Sequence, residues 1–542
     1  MANNISLPLL DDRQLHLFSE LPEGGTQRRS AADSGRQFVA GDPNLISVSG
    51  IKLEEHLKQA EQKTPFIVSK LLDEQDWSIF EGRYAATGRA PYSPRLMMGL
   101  ILYGVMQGVH SLRELERLAR LELGCMWVAG GIRPDHTNIG RFIAMHHDSL
   151  TQEFFEALTR SILKAIGSNN NRLAGDGTVI EAACSHYKLL KEEALRARLE
   201  QAKQQQEKKP DDTAVKAELA GIEQCLEVFE QRKAARVSRG KDPEALRISP
   251  QEPEAMVQPT KRGRGVCPSY KPSALANEDR VITAFALDAS NENKVVNVML
   301  DQSERVIGTE IEELLLDAGY FEDSVIAAAL ERNISILCPE GRTPEQPKAG
   351  PLFHKSLFAF DEKTLTYRCP AGQIMIKIDS CSGEGKTRKY DLYGGVDCSN
   401  CPMLGKCTKA KKGRTIKRYP EDEQRDALRV VMEHPQARKI FRQRKAMIEP
   451  VFSHLRGQQG LNRFRRTGLS AVTREFALHA MAHNLSRAVA LLAAIFTIFF
   501  AAIALYMKDW GRKRQIQRNF GVYAKNSAFF FDANKYALRL RW

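Results

Sequence analysis

The chain has 542 residues, a formal charge of +13, an isoelectric point near 9.2 and ten cysteines. Such a length suits roughly two to four domains with a large core, and the basic balance favours a polyanionic partner, nucleic acid before a membrane surface. Thinly spread cysteines and a start, MANNISLPLLDDRQ, without a basic segment and apolar run argue against a secreted disulfide framework and for a reducing, cytoplasmic setting.

Residues 1–90 read as a lead-in, flexible over the Gly-, Ser-, Arg- and Asp-rich stretch 22–44. From Pro94 the pattern turns helical, with Ser93 as N-cap and Leu96, Met97, Leu100, Ile101 and Val105 at helix spacing before Gly108. Ser111 and Glu114 spell a capping box ahead of Leu112, Leu115 and Leu118, and a third helix opens at Asp135. Three short helices with tight connections make residues 91–165 an all-α, helix-turn-helix-like domain whose last helix offers Asn138 and Arg141 to DNA. A plain bundle without groove contact fits the same pattern. His146 and His147 read as helix-terminal partners, because no metal-ligand spacing accompanies them.

An extended segment from Arg172 to Ala183 sets Asp176 between Gly175 and Gly177, where a ligand can approach closely; a plain turn is the alternative. Glu181, five residues on, faces the other side of a strand. Within an insertion at 186–265, Leu195 and Leu199, then Val215, Leu219, Ile222, Leu226 and Phe229, form two helices broken at Pro210. They read as a helical hairpin or a dimer arm. Residues 237–264 read as a polar linker whose run Lys261-Arg262-Gly263-Arg264 touches DNA backbone or is simply solvated.

The α/β pattern resumes with strands at Tyr270 to Ala276 and Val281 to Leu287 about a turn at Asn277. A helix from Ser303 then leads to the apolar Leu314 to Leu316, followed by Asp317, a helix from Val325 to Arg332 and a strand from Ile334 to Leu337. An aspartate closing an apolar strand stands where α/β folds place their sites, although turn chemistry also explains it. In a further insertion at 338–420, Cys369, Cys398, Cys401 and Cys407 suit one structural Zn²⁺, with buried thiols the alternative and Cys338 and Cys381 unassigned.

From Phe441 to Gly468, Lys445, Glu449 and Arg456 fall along one helical face, beside an apolar stripe of Phe441, Ile448 and Phe452. A carboxylate between cations suits a site for a divalent metal and a phosphate; an ordinary solvated helix fits equally. Ala488 to Met507 is a run of twenty uncharged residues. It reads as a buried or dimer-facing helix, with a membrane segment as the alternative on length alone.

GDGTVIEA around Asp176, LLLDAGYF around Asp317 and RKAMIEPVFSHLRGQQGLNRFRRTGL around Glu449 together resemble the DDE transposases of bacterial insertion sequences. SLRELERL, RPDHTNIGRF, YKPSALANED and HAMAHNLSR extend the resemblance over about residues 90–490. It implies an α/β, ribonuclease H-like catalytic core at 166–490 that brings Asp176 and Asp317 onto neighbouring strands, with Glu449 reaching in from its helix. The three acids would bind Mg²⁺ or Mn²⁺ for DNA strand cleavage and transfer, acting on double-stranded element ends and target as a homodimer. In the family's tyrosine-arginine-glutamate-lysine signature, Arg442, Lys445 and Arg456 take the places around Glu449, making Lys445 and Arg456 phosphate contacts. Arg463, Arg465 and Arg466 would extend that track. No tryptophan lies between Asp317 and Glu449, so a route through flipped-base DNA hairpins is not implied. An inactive DNA-binding derivative and a membrane-attached protein are the other classes. The resemblance fades from Ile495, which suits an acquired tail within an atypical 491–542.

Overall fold

The structure, a computed structural model, describes residues 27–30 and 36–520 apart from 86, 239, 260–264, 289–291, 342–351, 384–387 and 411. Lys261 to Arg264, the side chains of the apolar run from Ile495, and the tail beyond Phe520 lie outside the described residues. The chain divides into units at 1–488 and 489–542.

Helices begin earlier than the lead-in reading expects. Leu53–Gln59 and Thr64–Asp73 bury Leu53, Leu57, Val68, Leu71 and Leu72, because their apolar residues recur every three to four positions. Residues 27–30 and 37–40, within the stretch read as flexible, pair as an antiparallel ribbon. Helix α1 (Pro94–Met106) starts at its proline and is buried almost throughout, and α2 (Leu112–Leu121) buries Leu115 and Ala119. Neither Ser93 nor Ser111 makes a side-chain capping bond, so the expected capping box does not form. Helix α3 (His136–Met145) is capped as expected: Asp135 accepts the Asn138 N–H at 2.7 Å. Glu116 ties α2 to α3, accepting from the His136 N–H at 3.0 Å. Helix α4 (Glu153–Ile166) completes this body, and Trp77, Phe80, Phe142 and Phe154 pack with His146 beneath it. That histidine is fully buried; burial pulls its pKa down to about 4, so it is a neutral core residue.

The sheet is mixed. Five of its seven strands are β1 (Arg172–Gly177), β2 (Val266–Ala276), β3 (Ile282–Asp288), β4 (Glu313–Leu315) and β5 (Ser335–Leu337), while Ile180–Glu181 and Met256–Pro259 pair with the first part of β2. The five lie in the order β5-β4-β1-β2-β3, with β4 parallel to both β1 and β5, and β2 antiparallel to β1 and β3. The β2–β3 turn closes as the sequence suggests: the Asn277 N–H donates to Val281 O at 3.1 Å. The helix expected from Ser303 begins sooner and covers Val296–Ile307. It buries Val296, Met299, Leu300 and Val306 in the core shared with Leu173, Leu314 and Leu316.

Two insertions carry their own cores. Helices α5 (Glu192–Lys208) and α6 (Thr213–Ser238) form the expected hairpin around Leu195, Leu219, Ile222, Cys225 and Phe229. The linker after it is more than a tether. Glu252 is 1% exposed and accepts from Tyr270 Oη at 2.9 Å and from the Gly468 N–H at 3.1 Å. Further on, strands Ala359–Asp361, Thr366–Arg368, Ile374–Cys381, Tyr390–Gly395 and Thr415–Arg418 form an antiparallel meander over Phe358, Tyr367, Met375, Tyr393 and Ile416.

Helix α7 (Gln443–Gly457) lays Met447, Ile448, Val451, Phe452 and Leu455 into the main core. Pro450 sits inside it and has no N–H for the carbonyl four residues back. That carbonyl, on Ala446, accepts from Arg280 Nε at 3.0 Å instead. Helix α8 (Leu469–Phe520) runs through both units. In its first part Asn484 exchanges two 2.8 Å bonds with the Ile282 backbone and donates to Thr159 Oγ1 at 3.1 Å, pinning the edge of β3 to α4.

Candidate active site

Asp176 lies near the end of β1 and Asp317 just beyond β4, the parallel neighbour of β1. Parallel pairing puts both carboxylates at the same edge of the sheet. The site is tight: a Cβ on Gly175 would stand 2.5 Å from Leu316 Cδ2 and 2.8 Å from Leu275 Cδ2. Glycine there serves strand packing rather than ligand approach.

Each carboxylate is oriented by one backbone N–H. Asp176 accepts from Gly177 at 2.8 Å, and Asp317 caps a 3₁₀ turn by accepting from Gly319 at 2.9 Å. Their remaining oxygens converge on one cation. Arg444 Nη2 stands 3.2 Å from Asp176 Oδ2 and 3.6 Å from Asp317 Oδ2. The Arg444 side chain is only 7% exposed, against 23% for Asp176 and 43% for Asp317. Beneath them the Cys338 thiol donates to Asp317 O at 3.0 Å, and burial pushes its pKa up to about 12. Cys338 is thus a neutral support of the strand end.

Arg444 is the residue that the sequence reading missed. The family signature pointed to Lys445, one position on, which is exposed; the only sign of Arg444 is its place in the apolar rhythm of α7, three residues before Met447. Glu449 is exposed and takes no part in the Arg444 bridge. It follows Arg444 by five residues, about 140° around the helix. Among the described residues, no group of three or more His, Cys, Asp or Glu is already gathered to hold a metal. The structure therefore brings Asp176 and Asp317 together and leaves Glu449 at the surface of the neighbouring helix.

Two of the cations expected on phosphate contact protein groups. Arg456 donates to Thr178 Oγ1 and, at 2.7 Å, to Val179 O. Arg463 donates to the carbonyls of Ala182 at 3.0 Å, Ala183 and Cys184. Both fix the segment after β1, since backbone carbonyls satisfy a guanidinium fork as well as phosphate oxygens do. The Arg465 and Arg466 N–H groups donate to buried Glu475, while the Arg465 side chain is exposed and that of Arg466 half-buried. Asn138 turns its amide back on its own cap, with Nδ2 3.1 Å from Asp135 Oδ2, whereas Arg141 is exposed.

Cys369, Cys398, Cys401 and Cys407 line one small cavity at the end of the meander. No described helix is long and apolar enough to cross a membrane.

Residues 54–145, the first helical region, match the family described as Transposase domain (DUF772). Residues 368–489, which include α7 and Glu449, match the family described as Transposase DDE domain. No curated protein matches the chain. Both matched models describe transposase domains, and together they indicate a DDE transposase of an insertion sequence.

Proposed function

We propose that this transposase binds the double-stranded ends of its own element, cuts them in a divalent-metal-dependent reaction and joins them to a target. The observation that carries this reading is the convergence of Asp176 and Asp317, from parallel neighbouring strands, on a single cationic position. Two hard oxygens aimed at one positive charge fit Mg²⁺ or Mn²⁺. Such ions, when bound, activate the attacking hydroxyl and stabilise the departing oxygen.

The chain's own groups divide the remaining work. Asp176 and Asp317 supply ligand oxygens from a rigid sheet, and Glu449 supplies the third carboxylate from α7 once DNA is bound. Without the ion, the Arg444 guanidinium occupies the point on which the two aspartates converge and neutralises them. Lys445, one turn before Glu449 and exposed, meets a phosphate near the scissile bond. Arg141, Arg465 and Arg466 extend the contact along the backbone, and the 91–165 helices read the element end as part of a homodimer. Arg456 and Arg463 act indirectly, by shaping the 178–184 segment.

The test is a labelled duplex carrying the DNA that flanks the gene, incubated with Mg²⁺ or Mn²⁺ and either wild type or Glu449→Gln. Cleavage at the element end by the wild type, reduced at least a hundredfold in the variant, supports the reading. Equal cleavage by both removes Glu449 from the site. Intact binding with no cleavage by the wild type identifies an inactive DNA-binding derivative.

A further inference from the structure

The four cysteines of the meander come from two places that the sheet brings to one end. Cys369 opens the turn between Thr366–Arg368 and Ile374–Cys381, while Cys398, Cys401 and Cys407 lie in the loop between Tyr390–Gly395 and Thr415–Arg418. Met375 pairs with Gly395, so that turn and that loop share an end. Each holds a tight backbone turn at its cysteine: the Gly372 N–H donates to Cys369 O at 2.8 Å, and the Cys401 N–H to Cys398 O at 3.3 Å. Between them is a cavity of about 20 Å³, space for one water-sized body.

Two further features of the cavity concern charge and space. Arg414 lines it with a buried Nε that has no acceptor among the described residues. A neutral thiol is a poor acceptor for a guanidinium, whereas a thiolate is a good one. Glycines clear the place of Cys398: a Cβ on Gly395 would stand 2.4 Å from its Sγ, and one on Gly413 2.4 Å from its Cβ. Any side chain at either position would displace Cys398.

We propose that Cys369, Cys398, Cys401 and Cys407 bind one Zn²⁺ as four thiolates, with Arg414 as a counter-charge beside them. A soft, four-sulfur set favours Zn²⁺ over the hard cations suited to the aspartates. On binding, each thiol releases its proton to solvent as its sulfur bonds the metal. As they stand the four thiols do not form a ready metal site, so binding draws the sulfurs together. The gain is structural. The meander rests on five buried side chains, a small core for five strands, and a metal joining the turn at Cys369 to the loop of Cys398–Cys407 compensates.

The test is metal analysis of the full-length protein purified without chelator or added zinc. The proposal predicts about one zinc per chain, absent from the Cys398→Ser/Cys401→Ser double variant and retained in Cys381→Ser. In case the double variant does not fold, wild-type protein stripped of metal and titrated with Co²⁺ should develop the intense thiolate-to-cobalt absorption of a tetrahedral site. Zinc-free wild type with no such band, or zinc retained by the double variant, overturns the assignment. Neither readout uses DNA or cleavage, so it stands apart from the catalytic reading.

Discussion

Removing the Arg444 guanidinium leaves Asp176 and Asp317 aimed at a common point with no cation between them. Arg444→Gln should therefore lower stability by about 1–3 kcal/mol, the cost of breaking a largely buried charge pair. Mn²⁺ should raise the melting temperature of this variant more than that of the wild type, because the ion no longer competes with a guanidinium. Equal Mn²⁺ responses would show that Arg444 and the metal do not share a position. Burial also fixes the charge of two histidines on α8. His479, bonded to Gln459 Oε1 at 2.8 Å, and His483, bonded to Arg280 O at 2.8 Å, both have pKa values near 3 through burial. The unfolded chain takes up these protons from about pH 6.5 downward while the fold refuses them. Stability should therefore be whole above pH 7 and fall steadily from about pH 6.5 towards 3, a slope that thermal melts should find shallower in His483→Gln. At this scale the sequence conveyed residue type but not destination. The strand-end positions of Asp176 and Asp317 were legible, the first from its two flanking glycines and the second from the apolar Leu314 to Leu316 before it. Arg456 and Arg463 were not, because a positive charge carries no mark of whether its acceptor is a phosphate or the carbonyls of residues 179 and 182–184.

Elements were legible where apolar spacing was long and regular. The α5–α6 hairpin is the clearest case, since Leu219, Ile222, Leu226 and Phe229 recur at helical spacing and Pro210 marks the break, although Cys225, buried beside them, was not foreseen. Its core is its own, so Phe229→Ala should cost about 3–5 kcal/mol locally. Hydrogen exchange should then rise across 192–238 while β1 to β5 keep their protection; uniform loss would mean that the hairpin and sheet unfold as one. Caps and boundaries were less legible. Ser93 and Ser111 have the right residue type but make no side-chain capping bond, while the start of Val296–Ile307 hid among β-branched residues at 295, 296 and 298. The 237–264 stretch reads as a linker from its prolines, yet Glu252 and Glu254 accept from the Gly468 and Leu469 N–H groups at the entrance to α8. Those long-range bonds have no local signal.

For the whole molecule, the placing of β4 beside β1 was expected from the resemblance alone and the rest of the strand order was not legible, because strands of three residues such as β4 and β5 acquire their neighbours only through tertiary packing. The unit from Val489 onward is separate. Truncation after Leu492 should leave the melting temperature and DNA cleavage unchanged, and loss of both would make the tail integral. On the proposed function, three carboxylates far apart in the chain share one metal position when DNA is bound. Fe²⁺ with ascorbate and peroxide, substituted for Mg²⁺ in the complex with an element end, cuts the polypeptide beside the bound ion, and mass spectrometry maps the cuts. The account predicts three sites of cleavage, around Asp176, Asp317 and Glu449, all suppressed by excess Mg²⁺. Cuts near the two aspartates with none near Glu449 would contradict it.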